Sequence, residues 1–162
     1  MDNFFDKLSG YHLLTNLIPG VFFLCLLRIF GIYDVDLSDW LLNLFVGYFA
    51  GSVLNRVGSI VIEPWFKKWK IVRYAPYPNF LETEKKDVKI LELLAENNMY
   101  RTFVATFFIL ILLEICHIIP AADEFIHTQW AVIVLLALLL LLYVIAFRKQ
   151  TEYIRKRVER NQ

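Results

Sequence analysis

Cysteine is scarce in this chain: Cys25 and Cys116 are the two in 162 residues, and both lie inside apolar runs. That count excludes a disulfide scaffold and fits small buried hydrophobes. Charge is low and balanced, with 20% of residues charged and a net charge of +1. No bulk attraction to polyanions follows, so direct nucleic-acid binding is not expected. Catalytic signatures are missing as well. No His-Glu-x-x-His, Walker loop or Gly-x-Ser-x-Gly elbow occurs, and a non-enzymatic function is expected. His12, His117 and His127 are irregularly spaced, so no metal and no cofactor are implied. The start, Met1 to Lys7, has no basic leader, and no cleavable signal peptide is expected.

What is present is apolar: 58% of the chain is hydrophobic, and the block from Trp130 to Phe147 carries no charge. A bilayer core about 30 Å thick takes about 20 helical residues to cross. Four segments reach that length, near Tyr11 to Tyr33, Trp40 to Ile62, Thr102 to Ile119 and Gln129 to Phe147. A single segment satisfies its own backbone in lipid only as a helix. The fold class is therefore all-α, a polytopic membrane protein with four transmembrane helices. The fourth, nearly all Leu, Val, Ile and Ala, is expected to face lipid.

The connections set the orientation. Asp34 to Asp39 and Pro120 to Thr128 contain acids and no Lys or Arg, whereas Glu63 to Arg101 and the tail after Phe147 hold fourteen bases. Both termini and the middle connection are expected in the cytoplasm of a bacterial cell, across its inner membrane. The chain then divides into an interfacial helix at 1–10, where Phe4, Phe5 and Leu8 meet headgroups, and a first transmembrane hairpin at 11–63. A cytoplasmic connection at 64–100, a second hairpin at 101–147 and a basic tail at 148–162 follow. Trp65, Lys67, Lys68 and Trp69, with Arg148, Lys149 and Arg155 of the tail, suit the lipid headgroup layer. A helix is expected from Asn79, running unbroken for about 40 residues so that the third span extends into the cytoplasm. Its apolar stripe, including Leu91 and Leu94, needs cover from the chain's own hairpin, another copy or a different protein. Tyr74, Tyr77, Phe80, Lys85 and Lys89 complete a surface suited to a soluble protein partner.

Polar residues inside spans are functional candidates. Arg28 and Glu114 lie at similar depth, and an intramembrane ion pair is expected. Asn43, Gly47, Gly51, Asn55 and Ser59 recur every four residues on the second span. Such a stripe suits close helix packing within the chain or between copies, or the polar lining of a pore. Asn16 and Pro19 of the first span, with Arg56 and Glu63 of the second, are expected to meet as a network at the inner ends.

Two sets of residues carry a resemblance. Phe4-Phe5-Asp6-Lys7-Leu8-Ser9-x-Tyr11 with Asn16-Leu17-x-Pro19-Gly20, and Asn55-Arg56-x-Gly58-Ser59 ending in Glu63-Pro64, look like a set of small bacterial membrane proteins. The four-helix layout with a cytoplasmic middle is similar to the membrane subunit of Kiwa-type antiphage defence systems. That resemblance implies a homotetrameric membrane sensor that recruits a soluble cytoplasmic partner. The expected function is thus an oligomeric scaffold or sensor subunit. The alternative is a pore-forming effector that depolarises the cell.

Overall fold

A computed structural model describes residues 10–36, 38–118 and 126–161, with side chains from 130 onward in the last segment. Residues 1–9 of the expected interfacial helix at 1–10 and most of the turn at 120–128 lie outside the described residues, and Gly10 opens the first helix instead. Among the described residues five helices follow in order: α1 (Gly10–Ile29), α2 (Trp40–Lys68), α3 (Tyr77–Lys86), α4 (Lys89–Ile118) and α5 (Ile126–Arg160). No strand occurs among the described residues. All but α3 are long and apolar enough to cross a membrane.

Each of α1 and α2 contains one π turn, at Leu13–Leu17 and Gly58–Ile62. Both turns end two residues before a proline, Pro19 and Pro64. Proline has no N–H and clashes with the carbonyl four residues back. The wider turn accommodates both faults, so each helix continues through its proline. This carries α2 to Lys68, beyond the Ile62 boundary expected from hydropathy. Gly31 ends α1: at φ +66 its N–H bonds the Arg28 carbonyl at 3.0 Å, and Ile32 N–H bonds Leu27 at 3.0 Å. Asp39 starts α2, its carboxylate accepting from the N–H groups of Leu41 and Leu42, both at 3.0 Å.

The expected unbroken helix from Asn79 divides at Asp87. That residue is extended, and its carboxylate accepts the Lys89 N–H at 3.1 Å, opening α4 as a fresh helix. An aspartate acting on its own backbone stops a helix without glycine or proline. The α3 helix also begins two residues before the expected start at Asn79, with Pro78 in its first turn.

Helix α4 is the centre of the bundle, touching α1, α2, α3 and α5. Its apolar window is 44% buried, against 11% for that of α5, most of which is left uncovered by the rest of the chain. Leu24, Leu26 and Leu27 of α1 pack with Phe103, Phe107 and Leu110 of α4 and Leu136 of α5. Nearer the charged end, Ile62, Phe66 and Val72 meet Val104, Ala105 and Phe147.

The tail does not spread away from the bundle. Phe147, Thr151, Ile154 and Val158 are all buried, and their 4-3-4 spacing makes one seam along α5. Ile154 and Val158 pack on Ile90 of α4, with Phe80 of α3 and Leu93 beside them. Arg157 pairs with Asp87 at 2.5 Å. Helix α5 thus covers the buried side of the first turns of α4.

Candidate functional site

Three polar residues on one stretch of α4 each reach a different helix. Asn97 Oδ1 accepts from the Thr151 hydroxyl of α5 at 2.9 Å. Asn98 Nδ2 donates to the Tyr11 hydroxyl of α1 at 3.0 Å. Arg101 Nη1 donates to Glu63 Oε2 at 2.5 Å, and its Nη2 to Asn55 Oδ1 at 3.0 Å, both on α2. Asn55 then donates through Nδ2 to Asn16 Oδ1 of α1 at 3.0 Å. Asn16 Nδ2 lies 3.4 Å from His12 Nδ1. Lys67 closes the other end on Glu63 Oε1 at 2.7 Å.

The side chains of the Arg101–Glu63 pair are 11% and 17% exposed, so water screens it little. Its value is positional: a charged fork with two fixed acceptors holds α4 and α2 in one register. Tyr74 joins from the turn before α3. Lys67 Nζ stands 4.5 Å from its ring centre, and burial, then the Glu63 carboxylate, pushes its phenol above the usual tyrosine range. Tyr74 is therefore tied to this cluster, while 37% of its surface stays exposed.

The expected network of Asn16, Pro19, Arg56 and Glu63 is brought together in part. Asn16 and Glu63 belong to it, and Pro19 is buried beside Gly20. Arg56 is exposed and takes no part. The reason is the π turn at Gly58–Ile62, which adds about one residue to a turn and rotates the rest of the helix by about 100°. Arg56 and Glu63 then no longer share a face. Asn55 and Glu63 do.

The second-span stripe faces α1 of the same chain. A Cβ on Gly20 would overlap the Gly47 carbonyl and sit 2.6 Å from the Gly51 nitrogen. One on Gly51 would overlap the Asn16 carbonyl, and one on Gly47 would come within 2.7 Å of the Val21 side chain. Backbone thus packs on backbone, the use small residues have in membranes. Asn55 is tied to Asn16, and Ser59 is half-buried. Asn43 Nδ2 donates to the carbonyls of Asp36 and Asp39, at 3.0 and 2.7 Å, in the loop before its own helix. The face expected to line a pore or join copies is occupied within the chain. The exposed side of α2 is apolar, with Phe45, Phe49, Val53 and Ile60 outward.

Arg28 and Glu114 are not brought together. Arg28 Nη1 donates to the Val35 carbonyl at 2.8 Å in the loop after α1. Glu114 is fully buried, and neither carboxylate oxygen has a hydrogen-bond partner among the described residues.

Of the remaining candidates, Tyr77 is 71% exposed, and Lys85, Lys89 and Leu91 are also exposed. Phe80 and Leu94 are half-buried, Phe80 against Ile154 and Val158. Trp65 and Trp69 are exposed and stacked, 5.9 Å apart at 22°. Lys68, Arg148 and Lys149 are exposed, while Arg155 pairs with Glu152 and Glu159. Asn97, Asn98, Thr151 and above all Arg101 are the residues the sequence reading missed. Their signal was a run of amides and one guanidinium at the threshold of the third apolar block. Comparison with protein-family models, with curated proteins and with solved structures found no match.

Proposed function

We propose that the chain is a non-enzymatic scaffold or sensor subunit of a bacterial inner membrane, homo-oligomeric, that docks a soluble cytoplasmic protein. The observation that carries this reading is the folded platform at the charged end. There α3 and the first turns of α4 are held by α5, while Tyr77, Lys85, Lys89 and Leu91 stay exposed. The hub of Asn97, Asn98 and Arg101 joins that platform to α1 and α2, so a change in the transmembrane packing reaches it through hydrogen bonds rather than a loose linker. The fourteen bases of the middle connection and tail support a cytoplasmic charged end with both termini inside. The exposed apolar side of α2 suits lipid or a second copy, and a tetramer in antiphage defence follows from the Kiwa-type resemblance.

Pull-down of the tagged full chain tests the reading. The comparison variant carries Tyr77→Ala, Lys85→Glu, Lys89→Glu and Leu91→Ala, all on exposed positions. Selective loss of one soluble protein from a variant that melts like the wild type supports the proposal. Equal recovery by both chains overturns it. A cysteine placed at Asn161, in a chain freed of Cys25 and Cys116, is expected to label only from the cytoplasmic side.

A further inference from the structure

An open cavity of about 590 Å³ lies between the turn after α2 and the point where α5 passes from apolar to charged. Lys70 and Arg73 line it from the turn, and Arg148, Lys149 and Arg155 from α5. Among the described residues Glu152 is the one acid in the lining, and it already pairs with Arg155 at 2.6 Å. Lys70, Arg73, Arg148 and Lys149 form no salt bridge among the described residues. Four like charges around one cavity repel, and an anion between them turns that repulsion into attraction.

The turn is the C-terminal cap of α2. Lys70 has φ 57, a left-handed conformation that favours glycine or asparagine. It is held there by the Ile71 N–H, which bonds the Phe66 carbonyl at 2.8 Å, and by Val72, buried to 3% exposure. This cap leaves Lys70 on the lining of the cavity. The cavity also straddles the polarity boundary. Ile71 and Ile145 complete its lining, and Leu141 and Leu142 are exposed on the turn of α5 just before. Trp69, one residue before Lys70, stacks on Trp65, an aromatic pair suited to headgroup depth.

We infer that this cavity binds the phosphate of an anionic phospholipid, with the acyl chains lying along the exposed leucines of α5. A basic pocket between spans at the membrane surface is a recognised setting for such headgroups. A free phosphate shares the charge chemistry but leaves the apolar edge at Ile71 and Ile145 unused. The inference needs only the membrane embedding and stands apart from partner docking.

The test uses the delipidated full chain in an uncharged detergent, followed by native mass spectrometry. Phosphatidylglycerol, phosphatidylcholine and inorganic phosphate are titrated separately and in competition. The groove variant is Arg73→Gln with Arg148→Gln and Lys149→Gln. A control, Lys85→Gln with Lys86→Gln and Lys89→Gln, removes the same charge elsewhere. Preferential binding of phosphatidylglycerol is expected, weakened on the order of a hundredfold in the groove variant, about fivefold for each base. The control is expected to bind like the wild type. Melting and helicity check that both variants fold, and Lys149→Gln alone, at an exposed position, gives a fivefold step if the triple change does not. Equal binding of the two lipids, or equal loss in groove variant and control, overturns the site. Displacement of phosphatidylglycerol by an equal concentration of inorganic phosphate overturns the assignment to lipid.

Discussion

In the α1–α2 hairpin the helices meet through Gly20, Gly47 and Gly51, and almost no side chain lies between them at the contact. In the α4–α5 hairpin the contact is filled by side chains: Phe103, Phe107 and Leu110 against Leu136 in one half, Ile90 against Ile154 and Val158 in the other. Lipid chains are as apolar as leucine, so burying apolar surface against another helix gains little inside the membrane. The first hairpin answers with close backbone contact and a hydrogen bond between amides. The second is an antiparallel pair packed by side chains along its whole length, with Ile90 buried against Ile154 and Val158 at the charged end. Arg101 stands on α4 where the two solutions meet.

The largest effect should come from adding bulk to the first hairpin. Gly51→Leu drives a side chain into the Asn16 carbonyl, and a loss exceeding about 5 kcal/mol is expected, read as failure to melt cooperatively in detergent. Ala137→Leu on the exposed side of α5 should leave the melting temperature unchanged. If both changes are tolerated alike, the contrast between the hairpins fails. Removing bulk is the matching experiment on the second. Phe107 is fully buried, and Phe107→Ala should cost about 4 kcal/mol in denaturant-induced unfolding.

At the junction, Glu63→Gln leaves Arg101 buried without its counter-charge, and a loss of about 3 kcal/mol is expected. The double change with Arg101→Met should recover part of it, and strict additivity in that double-mutant cycle would show the pair to be uncoupled. The charged end should respond to acid. The hydrogen bond from Arg157 holds the Asp87 carboxyl below the usual range. A depressed folded-state value stabilises at pH above the ordinary carboxylate pKa of about 4, and that gain is lost as pH falls through the depressed value. Protection of the tail amides, taken relative to the intrinsic exchange rate at each pH, should therefore fall below pH 4, and Asp87→Asn should remove the pH step. The smallest effect is a gain. Glu114→Gln relieves a buried carboxylate that has no partner among the described residues, and about 1 kcal/mol of added stability is expected. A loss would mean that the charge at Glu114 is used.

The four spans were legible because composition and length decide them in lipid. The 4-3-4 seam of Phe147, Thr151, Ile154 and Val158 was legible too, but the charges around it pointed to the membrane surface instead. The glycine stripe could be read as a contact face, while its occupant could not, because a stripe on one helix does not name the partner. Two features were hidden for geometric reasons. The π turn at Gly58–Ile62 moved Glu63 off the face that α-helical spacing assigns it and onto that of Asn55. Asp87 stopped a helix by accepting the Lys89 N–H, in a stretch with neither glycine nor proline. Arg101 was counted among the bases of the connection, although its place one residue before Thr102 puts it at the end of the span.

The central claim is that the polar stripe of α2 is closed by α1 of the same chain. Asn16→Cys with Asn55→Cys, in a chain carrying Cys25→Ser and Cys116→Ser, tests it by cross-linking in native membranes with a short bifunctional thiol reagent. The two amides are hydrogen-bonded at 3.0 Å, so the link should form within one chain and the denatured product should run as a monomer. Cross-linked dimers as the main product would place the stripe between copies and contradict the account.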